Sequence, residues 1–212
     1  MPISKCDNRK DPHARKKIVA EFEIKPLSRT LLPEDKVYKG CCGPIETWVY
    51  TFSYKRKNDK ADVGLFHTGK DCGEDFLTLL GATRPERFSP FVDISTNTTK
   101  SLSSNPTASN SSTIRFTNLN QEIYDAINLL TVAYGPPDAG LQSLLEALAS
   151  QPNVNLNAGY VKFLNGVIHK RSSGKTLTLI ITELKKRYSN LRAFSFPLVD
   201  AILVKQNKSS NF

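Results

Sequence analysis

The segment ETWVYTFSYKRK, residues 46–57, constrains the fold of this chain more than any other. Aromatic side chains occupy every second position, at Trp48, Tyr50, Phe52 and Tyr54, and Thr, Val and Ser residues alternate with them. Successive side chains of a strand point to opposite faces of its sheet, and β-branched and aromatic residues favour strands. The segment therefore predicts a strand with one aromatic face, and such a face most often packs in the core of a sheet protein.

Other segments show strand-like alternation of apolar residues. The first of these segments is KIVAEFEIK, residues 17–25, and Pro26 directly after it is expected to end the strand. The stretch HKRSSGKTLTLIITELKKR, residues 169–187, is predicted to form a β-hairpin whose turn is Arg171–Gly174. The predicted strands are KIVAEFEIK, VGLFH, TIRFTNL, GYVKFLNGVIHK and KTLTLIITEL, and FPLVDAILVK is either a last strand or a short helix.

Three segments predict helices. EDFLTLLGA suits a short helix that ends at Gly81. NQEIYDAINLLTVAYG has apolar residues at helical spacing, with Asn120 as the predicted N-cap and Gly135-Pro136-Pro137 as its end. AGLQSLLEALAS has a stripe of leucines from Leu141 to Leu148. Together these patterns predict an α+β fold, mostly antiparallel sheet, with a two-helix hairpin packed on it.

The stretch STNTTKSLSSNPTASNSST, residues 95–113, consists almost entirely of Ser, Thr, Asn and Pro. Little of it can be buried to offset chain entropy, so it is predicted to be a long disordered loop or linker. The chain then divides into a flexible basic arm (1–17), a β-rich part (18–94), the linker (95–113) and an α+β part (114–212). The two folded parts are either separate small domains or one domain.

Positive charge is concentrated in three segments. The chain has 29 Lys and Arg against 20 Asp and Glu, net +9. The arm contributes +4, residues 55–60 contribute +3 and residues 170–192 contribute +6, so the remaining residues are net acidic. Such concentration favours a surface that binds polyanions. The residues predicted to bind a polyanion are Lys16, Lys17, Lys55, Arg56, Lys57, Lys170, Arg171, Lys175, Lys185, Lys186 and Arg187.

Residues 169–187 contain parts of two catalytic motifs. Gly174-Lys175-Thr176 matches the end of a phosphate-binding P-loop, but His169 stands where the first glycine belongs and TLTLII reads as a strand. Glu183 and Lys185 match the end of a metal-dependent nuclease strand, yet only Glu146 is acidic between Asp138 and Glu183. Both motifs fail on context, although acids elsewhere in the chain leave the nuclease open as an alternative.

The cysteines do not form a zinc motif by spacing. Cys6, Cys41, Cys42 and Cys72 include no C-x₂₋₄-C pair, and the absence of a secretory signal predicts free thiols. Whether Cys41, Cys42 and Cys72 bind metal together with His67 is open. A nucleophilic pair of His67 and Cys72, with a nearby lysine lowering the thiol pKa, is a further alternative.

These observations predict a non-enzymatic structural or assembly protein that binds polyanions, either RNA or an anionic membrane surface. RNA is more expected than DNA, and Tyr50, Tyr54 and Tyr188 are candidates for stacking on bases. A basic arm, a β-rich body and a disordered loop resemble the general style of small viral matrix, capsid or accessory proteins, a likeness that rests on no motif. We expect self-association, no cofactor and no small-molecule substrate. The alternatives are the nuclease and a protein-interaction adaptor using the Leu141–Leu148 helix.

Localisation follows from two further observations. No apolar run approaches the ~18 residues of a membrane-spanning helix. The N-terminus MPISKCDNRKDPHARKK lacks the apolar stretch of a secretory signal. We therefore expect an intracellular protein, cytoplasmic or nuclear, or a virion component, and not a secreted one.

Overall fold

The computed structural model describes residues 12–92 and 116–212, and in them the chain has an α+β fold. A four-stranded sheet of order β5-β4-β1-β6 has helices on both faces, and β2 and β3 form a separate small hairpin. The strands are β1 Phe22–Leu31, β2 Tyr38–Gly40, β3 Gly43–Ile45, β4 Trp48–Arg56, β5 Asp59–Thr68 and β6 Arg87–Phe88. The helices are α1 Pro12–Glu21, α2 Lys70–Leu80, α3 Asn118–Tyr134, α4 Gln142–Ser150, α5 Ala158–Arg171, α6 Leu177–Arg187 and α7 Pro197–Lys205, with a 3-10 turn at Ala139–Leu141.

The sheet is antiparallel except at one edge. β1 pairs with β4 from Phe22 opposite Arg56 to Leu31 opposite Trp48, and β5 pairs with the other side of β4. The short strand β6 is parallel to β1, which makes the sheet mixed. The strands predicted from the aromatic alternation and from VGLFH are confirmed.

One face of the sheet is an aromatic core. Tyr50, Phe52 and Tyr54 are at most 5% exposed and pack with Phe66 of β5 and Phe76 of α2. The rings of Phe52 and Phe66 are stacked with centroids 5.1 Å apart. Burying each such ring stabilises the fold by roughly 1.5–3 kcal/mol. Tyr50 and Tyr54 are therefore core residues, and the prediction that they stack on bases is wrong.

The other face of the sheet packs against α3 and α4. This contact includes polar groups, because Thr30 of β1 and Asn128 of α3 are both buried and hydrogen-bonded to each other. Tyr124 of α3 donates its hydroxyl to the carbonyl of Glu86 at 2.6 Å. Residues on either side of positions 93–115 thus pack on one sheet.

The C-terminal part is helical. α3 lies at its centre and contacts α4, α5, α6 and α7, and the predicted helical hairpin of α3 and α4 is confirmed. Thr117, one residue before α3, is its N-cap and accepts a hydrogen bond from the Asn120 backbone N–H. The assignment of Asn120 as N-cap is therefore wrong. TIRFTNL is not a strand from Phe116 onward, since α3 begins at Asn118.

The β-hairpin predicted within residues 169–187 is wrong, because this stretch joins two helices, α5 and α6. The buried residues of α6 are Leu177, Ile180, Ile181 and Leu184, which is the i, i+3, i+4, i+7 spacing of a helix face. The Thr176 side chain caps α6 by accepting from the Leu179 N–H. β-branched residues in TLTLIIT favour a strand locally, and packing against α3 overrides that preference.

The strand predicted for GYVKFLNGVIHK is likewise helical, as α5. Its buried residues are Val161, Leu164 and Ile168, whereas Phe163, which would share one strand face with Val161, is 40% exposed. FPLVDAILVK forms α7 with Pro197 at its first turn, so the helical alternative is confirmed there. Proline suits that position because the first N–H groups of a helix have no intrahelical acceptor.

The first predicted strand begins later than expected. Residues 12–21 form α1, so Ile18 to Glu21 are helical and β1 starts at Phe22. β1 also continues through Pro26, where the pairing with β4 shifts by one residue between Pro26 and Ser28. Residues 12–17, expected to belong to a flexible arm, are therefore part of a helix that contacts α2 and β1.

Two predictions concern residues outside the described ranges. They are the arm as far as residue 11 and the loop at 95–113. Within residues 12–92 and 116–212, no helix is both long enough and apolar enough to cross a membrane.

Candidate functional site

Lys16 and Lys17 of the first basic segment and residues 55–57 of the second lie at one end of the main sheet. β1 starts at Phe22 opposite Arg56, so α1 ends beside the turn between β4 and β5. The Lys57 ammonium donates to the carbonyl of Ala20 at 2.8 Å and to that of Val19 at 3.3 Å. Lys16 and Lys17, both exposed, lie on α1 within about one turn of these carbonyls.

Lys25, which is not among the residues predicted to bind a polyanion, lies at the same end of the sheet. Lys25 is opposite Ser53, and Glu23 is opposite Lys55, so Lys25 and Lys55 project from the same face of the sheet as diagonal neighbours. Glu23, Lys25 and Lys55 are exposed. The sequence does not predict Lys25 as a binding residue, because it lies outside the three basic segments, at the end of a predicted strand. We call Lys16, Lys17, Lys25, Lys55 and Lys57 the basic end.

Acidic residues partly compensate the basic end. Arg56 bonds Asp62 at 2.8 Å and Glu21 at 3.5 Å, so its guanidinium is committed to ion pairs within the protein. Glu23 faces Lys55 across the strand pair. Among the ion pairs of the described residues, none joins a carboxylate to the ammonium groups of Lys16, Lys17, Lys25, Lys55 and Lys57.

The third basic segment lies at the opposite end of the sheet. Arg187 lies 3.8 Å from Asp35, and Tyr188 bonds Asp35 at 2.5 Å, a few residues beyond the far end of β1. Ten residues of strand separate that end of β1 from its start, which corresponds to about 30 Å. One surface therefore does not contain all three basic segments.

Several cations of the third segment have structural roles. Arg171 is partly buried and donates to the carbonyls of Gly135 and Pro136 at 3.1 and 3.2 Å. Lys175 pairs with Glu183 at 2.6 Å. Arg192 pairs with Asp125 at 3.1 Å. The other four cations end two helices, where they complement the helix dipole. They are Lys170 in the last turn of α5 and Lys185, Lys186 and Arg187 in the last turn of α6.

Neither of the two partial catalytic motifs lies in the arrangement of strands and helices that its chemistry requires. Glu183 lies on α6 rather than on a strand, so the strand that the nuclease alternative requires is absent at that position. Gly174-Lys175-Thr176 precedes a helix, contrary to the strand predicted there, but it follows the helix α5, whereas a P-loop follows a strand.

A cluster of thiols lies near the far end of the sheet. Cys41 and Cys42 form the turn of the β2–β3 hairpin, and Cys72 lies in the first turn of α2. Cys41 is buried and its sulfur is 3.1 Å from that of Cys42. The Cys42 thiol also interacts with Cys72, and the guanidinium of Arg15 donates to Cys72 Sγ at 3.4 Å.

The thiols favour their protonated form when they hydrogen-bond to one another. The contact with Cys41, together with burial, raises the pKa of Cys42 to about 11. The contact with Cys42, followed by burial, raises the pKa of Cys72, while Arg15 acts in the opposite direction. Cys42 and Cys72 line a cleft of about 600 Å³ together with Arg15, Glu46, Trp48, Lys70 and Asp71.

His67 does not belong to this cluster. Its Nδ1 is 3.2 Å from Thr51 Oγ1, and its ring also bonds the carbonyl of Pro137. It points away from the aromatic face that contains Phe66, its neighbour in β5, because adjacent strand residues face opposite sides. Burial lowers the pKa of His67 to about 4. The nucleophilic pair of His67 and Cys72 is therefore not formed.

Comparisons with known proteins give one match. The model of a protein family described as "Uncharacterised conserved protein UCP028583" matches residues 7–211. No curated protein and no solved structure matches the chain.

Proposed function

This chain belongs to the family described as uncharacterised conserved protein UCP028583, and we propose that it is a non-enzymatic protein that binds the phosphate backbone of single-stranded nucleic acid, RNA above all, through the basic end. The proposal keeps polyanion binding as its central idea. It narrows the eleven predicted binding residues to the basic end, with Lys25 added: α1 packs on the sheet face that contains Phe22 and Ile24, and Lys25 and Lys55 project from the other face at the same end.

The observation that supports this proposal most is the contact of Lys57 with the end of α1. That contact holds the β4–β5 turn against the helix bearing Lys16 and Lys17. Cations from segments about forty residues apart in sequence thereby share one end of the sheet. Lys57 complements the dipole of α1 from the β4–β5 turn. Lys16 and Lys17 on α1 and Lys25 within β1 do not end a helix, so the local structural explanation that suffices for the cations of α5 and α6 does not apply to these three.

Nucleic acid suits this surface better than a lipid bilayer does. A peripheral membrane protein usually adds apolar side chains that enter the lipid beside its cations. Next to the basic end the one exposed large apolar side chain among the described residues is Val63, opposite Lys55 in β5. Phosphate contacts by lysines, without base readout, predict binding with little sequence preference. An intracellular location, where RNA is accessible, is part of the proposal.

A salt titration of binding to single-stranded RNA tests the function. If the five lysines of the basic end each contact about one phosphate, the logarithm of the association constant should fall with log salt with a slope of about −3.5. The titration is run in parallel with liposomes of anionic lipid. Salt-insensitive RNA binding, no RNA binding, or tight binding to liposomes alone would contradict the proposal.

A further inference from the structure

We propose that a pocket beside Lys25 holds one base of the bound strand, with guanine as the preferred base. The pocket has a volume of about 310 Å³, at the lower end of the range of small-molecule sites. The preference rests on the proposed function, since the pocket receives a base from a strand that the basic end binds. The lysines bind phosphates without reading bases, and the pocket adds a preference at one nucleotide.

The pocket lies where the outer edge of β1 is uncovered. β6 pairs with β1 only at Arg29 and Thr30, so no strand of the described residues covers that edge at Lys25–Leu27. The loop between α2 and β6 forms a second wall, and the end of α4 forms a third together with Phe116. The apolar part of the lining is Pro26, Leu27, Pro85, Phe116 and Ala149.

Phe116 supplies an aromatic ring that is fixed in position. Its ring packs against that of Tyr124, a buried residue of α3, with the two centroids 4.9 Å apart. Tyr124 is itself held by the hydrogen bond from its hydroxyl to the Glu86 carbonyl. Phe116 is only partly buried, so part of its ring remains open to a partner. Unpaired bases of single strands stack on aromatic side chains of this kind.

Glu86 determines which base suits the pocket. It is partly buried in the lining, and among the described residues no donor hydrogen-bonds its carboxylate. Burial raises the pKa of Glu86, while Arg29 acts in the opposite direction. An ionised carboxylate accepts two parallel hydrogen bonds from adjacent N–H donors. Guanine has two such donors on its Watson–Crick edge, at N1 and N2, whereas adenine, cytosine and uracil each have one donor group there.

Lys25 connects the pocket to the basic end. Its side chain is exposed and lines the pocket, and it projects from the same face of the sheet as Lys55. An ammonium beside the pocket can bind the phosphate of the nucleotide whose base enters it. The pocket thus combines apolar walls, a ring for stacking, an acceptor for the base edge and a cation for the phosphate.

Base preference is tested on the full chain without any substitution, with three RNA strands of equal length and charge. They are oligouridine and the same strand with one central guanosine or one central inosine, which lacks the N2 amino group. In anisotropy titrations the guanosine strand should bind at least about fivefold more tightly than oligouridine, and inosine should lose most of this gain. Equal, salt-dependent affinity for all three strands would overturn the pocket and leave the proposed function standing. Binding to none of them would overturn both.

Two variants assign the contacts, with the ratio of guanosine-strand to oligouridine affinity as the readout, since a ratio cancels the effect of total charge. Glu86→Gln should bring this ratio to about one, and Phe116→Leu should lower it at least about twofold. The matched controls are Glu46→Gln, an exposed glutamate at the other end of the sheet, and Phe163→Leu, an exposed ring on α5. Both controls should keep the wild-type ratio. A wild-type ratio in Glu86→Gln, or an equal loss in Glu46→Gln, would overturn the assignment.

Discussion

The ammonium of Lys57 donates a hydrogen bond to the backbone carbonyl of Ala20 at 2.8 Å, at the end of α1. This contact joins the β4–β5 turn to α1, and the proposed binding surface depends on it. A cation at the carboxyl end of a helix also compensates its dipole.

Replacing Lys57 by Met should therefore lower the free energy of unfolding by about 0.5–1 kcal/mol. Lys55→Met provides the matched control, because Lys55 is exposed two residues earlier and makes no such contact. Urea denaturation of the two variants measures the difference. Equal stability of the variants would show that the Lys57 contact does not hold α1.

Asn120 links the start of α3 to the connection between α4 and α5. Its side-chain amide donates to the carbonyls of Pro152 and Val154 at 3.0 and 2.8 Å, and its carbonyl oxygen accepts from the Leu156 N–H at 3.0 Å. Asn120 is fully buried. Asn120→Ala leaves these backbone groups without partners and should cost about 3 kcal/mol.

The control for this change is Asn157→Ala, which removes the exposed N-cap of α5 and should cost about 1 kcal/mol. Both free energies come from denaturant titrations. If Asn120→Ala proved the milder substitution, the hydrogen bonds of Asn120 would not hold this connection.

Two helical glycines should respond in opposite ways to alanine. A Cβ at Gly73 of α2 would be 2.4 Å from Cγ of the buried Tyr50 ring, and overpacking of this kind costs about 1–3 kcal/mol. A Cβ at Gly166 of α5 would meet nothing within 4 Å. Gly166→Ala should therefore stabilise the protein by about 0.5–1 kcal/mol.

Thermal and urea denaturation of the two glycine variants distinguish these effects. If Gly73→Ala left the free energy of unfolding unchanged, α2 would not pack on Tyr50 as closely as described. Loss of stability in Gly166→Ala would mean that α5 is covered by another surface at that point.

His67 should make stability depend on pH. Burial lowers its pKa from 6.5 to about 4, so below pH 6.5 the unfolded chain binds a proton that the folded chain does not. The free energy of unfolding should then fall between about pH 6.5 and pH 4, by up to about 3 kcal/mol from this group, and this contribution should be constant outside that window.

The pH prediction is checked by comparing slopes rather than absolute stabilities. His67→Gln does not titrate, so its stability should change less steeply between pH 6.5 and 5 than that of the wild type. Identical slopes would place the His67 pKa near its ordinary value.

Local patterns predicted the sheet better than the C-terminal helices. The aromatic alternation from Trp48 to Tyr54 predicts a strand with one aromatic face, and that strand is present, with residues 49–54 buried on both of its faces. In LTLIITEL, by contrast, Leu177 and Ile181 fit both a strand face and a helix face. Leu179 decides between them, because it is 53% exposed, and its exposure is set by packing on α3 that the local pattern does not contain.

Which of the candidate binding residues lie close together could be predicted even less well than the helices, because it depends on tertiary structure. The concentration of charge in the sequence identifies Lys16, Lys17, Lys55 and Lys57 as candidates. Their common location at one end of the sheet follows only from the register of β1 and β4. Lys25 joins them for the same reason. The spacing of Cys42 and Cys72 matched no metal motif, and their common place at one cleft follows only from the fold.

The most direct test of the proposed function compares two variants with the same change in charge. Lys16, Lys17, Lys25 and Lys55 are changed together to Gln, and the control changes the exposed lysines 162, 170, 185 and 186 on α5 and α6. Affinity for single-stranded RNA is measured by fluorescence anisotropy across a range of salt concentrations.

We predict that the basic-end variant binds at least tenfold more weakly and that its log–log salt slope is shallower by about 2–3, whereas the control retains the wild-type slope and most of its affinity. Equal losses in the two variants would indicate attraction by total charge alone. Loss in the control variant only would place the binding surface on α5 and α6 and would contradict the account.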